Sequence, residues 1–247
     1  MEFTEIIRTT LWGLFFGTFG TTIGGIWGAY LKQPSKRMIS FILQYAAGLM
    51  VAVICFELIP EALEITKMAN VLLGILLGVV TMLVCEQLVK EKIQRKNAAS
   101  SNSLLKTGIV VGIGLAIHNF PEGLAIGSGF EASMKLGLTL AVAILFHDIP
   151  EGISMAVPMK NGGMSKGKVI WYTLLSGVTT GIGAFFGAVV GSVSQTVIGL
   201  CLAFAAGAML YLVAGELLPE SNHLYTGRMA TLGNILGLLT GVWVIHL

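Results

Sequence analysis

A chain of 247 residues that is 55% hydrophobic and only 11% charged, with 32 glycines, is excluded from the ordinary soluble enzymes and reads as an all-α polytopic membrane protein whose core is shared with lipid. The formal net charge of +2 says little until the charges are placed along the chain, and no nucleic-acid partner is expected. At about 20 apolar residues per span there is room for eight helices. They are expected near 8–31, 39–61, 69–89, 105–129, 136–158, 168–191, 195–219 and 229–247.

Span 1 is too long and too rich in glycine for a cleaved signal peptide and lacks a basic leading region, so it is kept as structure. Its glycines recur every fourth residue (Gly20, Gly24, Gly28), as do Gly183, Gly187 and Gly191 in span 6, a spacing that lets helix backbones approach closely. Met50 lies centrally in span 2, which closes on Glu57-Leu58-Ile59-Pro60-Glu61; span 7 closes on Glu216-Leu217-Leu218-Pro219-Glu220. These acids are expected in the last turns, where they oppose the helix dipole; snorkelling side chains and a metal antechamber are both open. The polar stretch from Glu91 to Ser103 predicts a flexible loop. Cys55, Cys85 and Cys201 fall in apolar spans at no metal-ligand spacing and read as small buried hydrophobes.

Spans 4 and 5 carry the chemistry. Each contains one version of a six-residue phrase, His118-Asn119-Phe120-Pro121-Glu122-Gly123 and His147-Asp148-Ile149-Pro150-Glu151-Gly152. Residues four apart share a helix face, so each phrase presents an imidazole beside a carboxylate. Two such helices face to face supply two nitrogens and two carboxylates, which suits zinc, iron(II), manganese, cobalt or cadmium and offers no thiolate for copper(I). Asn119 and Asp148 flank the same groove, where a second ion bridged by the glutamates is one alternative. At 1.5 Å per residue the phrases lie near the middle of a hydrocarbon layer of about 30 Å. Ionisable groups there cost roughly 3 kcal/mol each and are functional by default. Pro121 and Pro150 are expected to kink or break these helices.

The first three spans align with the last three at a constant shift of 159 residues: Ala46-Ala47-Gly48-Leu49-Met50 becomes Ala205-Ala206-Gly207-Ala208-Met209, and Trp12 falls on Trp171. Spans 2 and 7 differ by an odd number and run in opposite directions, so the chain reads as one transporter domain built as a 3+2+3 inverted repeat: residues 8–90, a central pair over 105–158, and residues 168–247. Twelve of the fifteen Lys and Arg residues fall on the loops after spans 1, 3, 5 and 7. The positive-inside rule then places those loops in the cytoplasm and both termini outside. No nucleotide-binding loop is present, so transport would be secondary or facilitated.

The paired phrases, the eight spans and the Ala-Ala-Gly-x-Met repeat resemble the ZIP (Zrt/Irt-like protein) metal transporters over nearly the whole chain. The resemblance implies import of zinc and similar divalent ions into the cytoplasm. It implies a primary site of His118, Glu122, His147 and Glu151, and a second site in which Asn119 and Asp148 share the glutamates. Met50 matches more loosely a methionine placed against the primary site. Many relatives carry a carboxylate in span 6 where this chain has Thr180, which leaves the number of bound ions open. The alternative reading is an intramembrane zinc-dependent metalloenzyme, with a glutamate as base beside an open coordination position; the inverted repeat favours transport and no enzymatic activity. The expected partners are divalent metal ions as substrate and the lipid bilayer, with a homodimer left open, and the compact length points to a bacterial inner membrane.

Overall fold

Serine caps and very short connections set the helix boundaries in this computed structural model, which describes residues 3–32, 34–96 and 103–246. Ser35, Ser133 and Ser194 each have extended backbone and accept a hydrogen bond from the backbone N–H three residues on, satisfying a donor that the first helical turn leaves free. Eight long helices and no strand occur among the described residues. They are α1 (Phe3–Tyr30), α2 (Lys36–Ile65), α3 (Met68–Lys96), α4 (Ser103–Ala132), α5 (Met134–Asn161), α6 (Lys166–Gly191), α7 (Gln195–Leu224) and α8 (Arg228–Ile245).

Among the described residues, six of them, α2, α3, α5, α6, α7 and α8, are long and apolar enough to cross a membrane. Helix α1 has the length, but its threonines and glycines dilute its apolar run. Leu72, Leu76, Trp27 and Trp243, each more than half exposed, form outward apolar faces suited to lipid. The apolar window of α5 is 72% buried and that of α3 22%, so α5 is central and α3 peripheral.

Several boundaries differ from expectation. Helix α3 runs to Lys96, into the stretch expected to be a loop; residues 97–102 of that stretch lie outside the described residues. Pro121 and Pro150 sit inside helices that run without interruption. A proline removes one donor, and a packed bundle tolerates that loss. The irregular turns lie instead in α2 and α7, where five-residue π-turns span Ile54–Leu58 and Val213–Leu217 just before Pro60 and Pro219. There the N–H of Ile59 reaches the carbonyl of Ile54, and that of Leu218 the carbonyl of Val213, a wider turn at the residue preceding each proline. The helices continue to Ile65 and Leu224, so Glu57 and Glu216 lie in π-turns and not in the last turns. Among the cysteines only Cys201 is buried; Cys55 is exposed and Cys85 partly so.

The helices sort into two groups of four. Helices α1, α4, α5 and α6 pack together, as do α2, α3, α7 and α8. Within each group the contacts come in matched pairs. A methyl group at Gly48 would collide with the Asn234 carbonyl, and one at Gly207 with the carbonyl of Ile75, the residue 159 positions before Asn234. The same correspondence relates Gly78 against Phe204 to Gly237 against Tyr45.

Candidate metal centre

Helices α4 and α5 are joined by Ser133 alone, which makes them an antiparallel hairpin and turns the two phrases toward each other. The glycine that ends each phrase makes this possible: a methyl group at Gly123 would strike the Thr180 carbonyl on α6, and one at Gly152 the Thr21 carbonyl on α1. Helix α1 also covers the site directly, since a Cβ at Gly20 would lie 2.6 Å from Asp148 Cβ and 3.4 Å from its Oδ2.

Four of the six phrase residues meet. Ligand atoms of Glu122, His147, Asp148 and Glu151 all lie within 4.8 Å of one another, and none of the four residues is more than 2% exposed. His147 Nε2 is 2.9 Å from Glu122 Oε1 and 3.5 Å from Asp148 Oδ1. Among the described residues, Glu122 Oε2, both carboxylate oxygens of Asp148 and of Glu151, and His147 Nδ1 have no hydrogen-bond partner. Three carboxylates and one imidazole, dry and mostly unpaired, form a strongly electronegative centre that a divalent cation would satisfy. Ligands about 2.1 Å from a tetrahedral ion stand about 3.4 Å apart, so modest side-chain rotation closes this set on a metal.

His118 stands apart from the other ligands. It is 6% exposed, and its Nε2 lies 3.5 Å from Glu216 Oε1 in the π-turn of α7. His118, Pro121 and Glu122 face Met82, Met209 and Leu212 there across a crevice too narrow to hold a water molecule. Asn119 is fully buried; its Nδ2 donates to the Ser176 carbonyl at 3.0 Å and its Oδ1 is unpartnered. Met50 and Met209, 159 residues apart, are both buried in the apolar core; Met209 is the one near His118 and Glu122. Thr180 is fully buried with an unpartnered hydroxyl, held between Gly17 of α1 and Gly123 of α4.

The contact between His118 and Glu216 was not anticipated, although proline and glutamate flanking the same turn in both α2 and α7 marked those segments as unusual. The three cysteines take no part in the cluster.

A protein-family model described as ZIP zinc transporter matches residues 90–247. Proteins named zinc transporter ZupT are similar over most of the chain. The one from Corynebacterium aurimucosum is 32% identical over 236 residues, covering 88% of this chain and 89% of that protein. The one from Salmonella paratyphi A is 31% identical over 227 residues, covering 88% of each.

Proposed function

The chain belongs to the ZIP zinc transporter family, and we propose that it carries zinc and chemically similar divalent transition-metal ions across the membrane through the cluster of Glu122, His147, Asp148 and Glu151. The observation that carries this reading is the burial of three carboxylates with a single imidazole at the centre of the helix bundle. Such a group is costly to maintain unless a cation occupies it. The metal is the substrate, and oxygen and nitrogen donors fit Zn²⁺, Fe²⁺, Mn²⁺, Co²⁺ or Cd²⁺ better than copper(I).

His118 completes the primary site with Glu122, His147 and Glu151. Asn119 and Asp148 share the glutamates when a second ion is held, and Met50 is a further candidate ligand. The unpartnered oxygens of Asn119 and Asp148 support that second position. Thr180 supplies a hydroxyl where many relatives have a carboxylate, which favours a weaker second site. The chain acts as one transporter domain, with repeats over 8–90 and 168–247 flanking the central pair over 105–158, in the bacterial inner membrane with both termini outside. Flow is into the cytoplasm, by secondary or facilitated alternating access, and the chain has no enzymatic role. Alternating access requires a site that two pseudo-symmetric halves can share, and the matched helix contacts supply such halves.

Purified protein in liposomes loaded with a metal-sensitive dye tests the reading. Zinc added outside should raise the signal in proteoliposomes well above that in protein-free vesicles; equal signals would refute transport.

A further inference from the structure

Helices α1 and α6 run antiparallel along a line of small residues, from Gly13 against Ala184 to Gly25 against Thr173. Phe15, Phe19 and Ile26 of α1 and Trp171, Leu175 and Ile182 of α6 are exposed on this pair and suit lipid. Where α1 ends and α6 begins the chemistry changes. Lys166 Nζ stands 3.8 Å from the ring centre of Tyr30, and Lys166, Lys168 and Lys32 are all exposed. Among the described residues no carboxylate pairs with any of these three lysines, whereas Arg8, near the opposite end of α1, is paired with Glu5 at 3.4 Å.

The internal duplication supplies a comparison. The shift of 159 residues carries α1 onto α6 and so turns one end of the pair into the other. Under it Trp171 falls on Trp12, but Lys166 and Lys168 fall on Ile7 and Thr9, and Tyr30 and Lys32 on Val189 and Gly191. The tryptophan is kept at both ends, while the lysines and the tyrosine belong to one. Orientation in the membrane requires only that cations lie on one side. It does not require a ring beneath one of them. A lysine left to itself extends toward water, whereas Tyr30 holds Lys166 over the end of α1, across the line where the two helices meet.

We propose that this end of the α1–α6 pair binds an anionic phospholipid. Its phosphodiester headgroup is met by Lys32, Lys166 and Lys168, and its acyl chains run along the exposed apolar side chains of both helices. The headgroup supplies the counter-charge that the three lysines lack, and a zwitterionic lipid, which carries its own cation, gains less. The two helices bridged in this way are those that close on the metal centre, since Gly20 of α1 lies against Asp148 and Thr180 of α6 against Gly123. The lipid braces them.

The test titrates purified full-length protein in detergent with phosphatidylglycerol or with phosphatidylcholine of the same acyl chains, and counts bound lipid by native mass spectrometry. Phosphatidylglycerol should be held at least roughly tenfold more tightly, because each cation near a membrane surface contributes roughly fivefold. Lys166→Gln combined with Lys168→Gln removes two cations and Tyr30→Leu removes none, yet both proteins should lose most of the preference. Arg228→Gln, which removes a cation at the start of α8, should keep it. Equal binding of the two lipids by the unmodified protein, a preference kept in either of the first two variants, or one lost as fully in Arg228→Gln, would overturn the proposal. Should the variants not fold, a phosphatidylglycerol with a photoreactive headgroup is applied to the unmodified protein. It should label residues within 26–32 or 165–172, and labelling confined to other segments would overturn the site. Phosphatidylglycerol should also raise the thermal-unfolding midpoint of the unmodified protein where phosphatidylcholine does not; equal midpoints would overturn the bracing.

Discussion

Glu122 and Glu151 hold corresponding positions in the two phrases, yet Glu122 is oriented by His147 at 2.9 Å while both oxygens of Glu151 are unpartnered. Both are fully inside, and replacing either by alanine removes a charge-bearing donor from the cluster. Glu122→Ala and Glu151→Ala should each lower zinc uptake by more than the roughly 10–100-fold that losing a supporting contact costs, while the protein still reaches the membrane. Uptake assayed beside membrane abundance checks this. Metal binding should also fall as pH drops from about 7 to 5.5, because only neutral imidazole and ionised carboxylate bind the ion, and protons compete for both. The sign is fixed by that competition: acid weakens binding, and a zinc titration at several pH values that gave constant affinity would contradict it. The four residues that meet, Glu122, His147, Asp148 and Glu151, were legible in the sequence, since two copies of one phrase in apolar spans have no simpler use. The different surroundings of His118 and His147 were not legible, because a pattern that treats both phrases alike carries no record of which contacts each copy makes.

At the scale of the helix, small residues decide how closely the phrases are held. Methyl groups at Gly24 and Gly183 would enter the backbone of the opposite helix, where no flexible side chain can yield. Gly24→Ala and Gly183→Ala should therefore lower stability by about 1–3 kcal/mol or more, by forcing apart α1 and α5 in one case and α4 and α6 in the other. Gly167→Ala, with nothing within 4 Å, is the control. Thermal unfolding in detergent should show a lower midpoint for the first two and little change for the third. The four-residue glycine spacing announced these contacts in advance. The π-turns were hidden, since they displace the helix by a single residue and the sequence around Pro60 and Pro219 reads as well for an ordinary helix end. The same ambiguity made α2 and α7 seem shorter than they are.

For the whole molecule the open quantity is its direction in the membrane, and two contacts bear on it. Lys166 Nζ at the start of α6 lies 3.8 Å from the ring centre of Tyr30 at the end of α1. Arg37 at the start of α2 lies 5.9 Å from the ring centre of Tyr225 just after α7. Cations over aromatic rings at helix ends are the usual furniture of a membrane–water boundary. These two gather the connections after α1, α5 and α7 on one side of the bundle, the side on which most lysines and arginines fall. Ser133, between α4 and α5, lies at the opposite end of both helices. The positive-inside rule makes the basic side cytoplasmic. A cysteine at position 133 in a cysteine-free variant should thus react with a membrane-impermeant maleimide in intact cells, and one at position 167 only after the membrane is opened. The reverse pattern would place both termini in the cytoplasm.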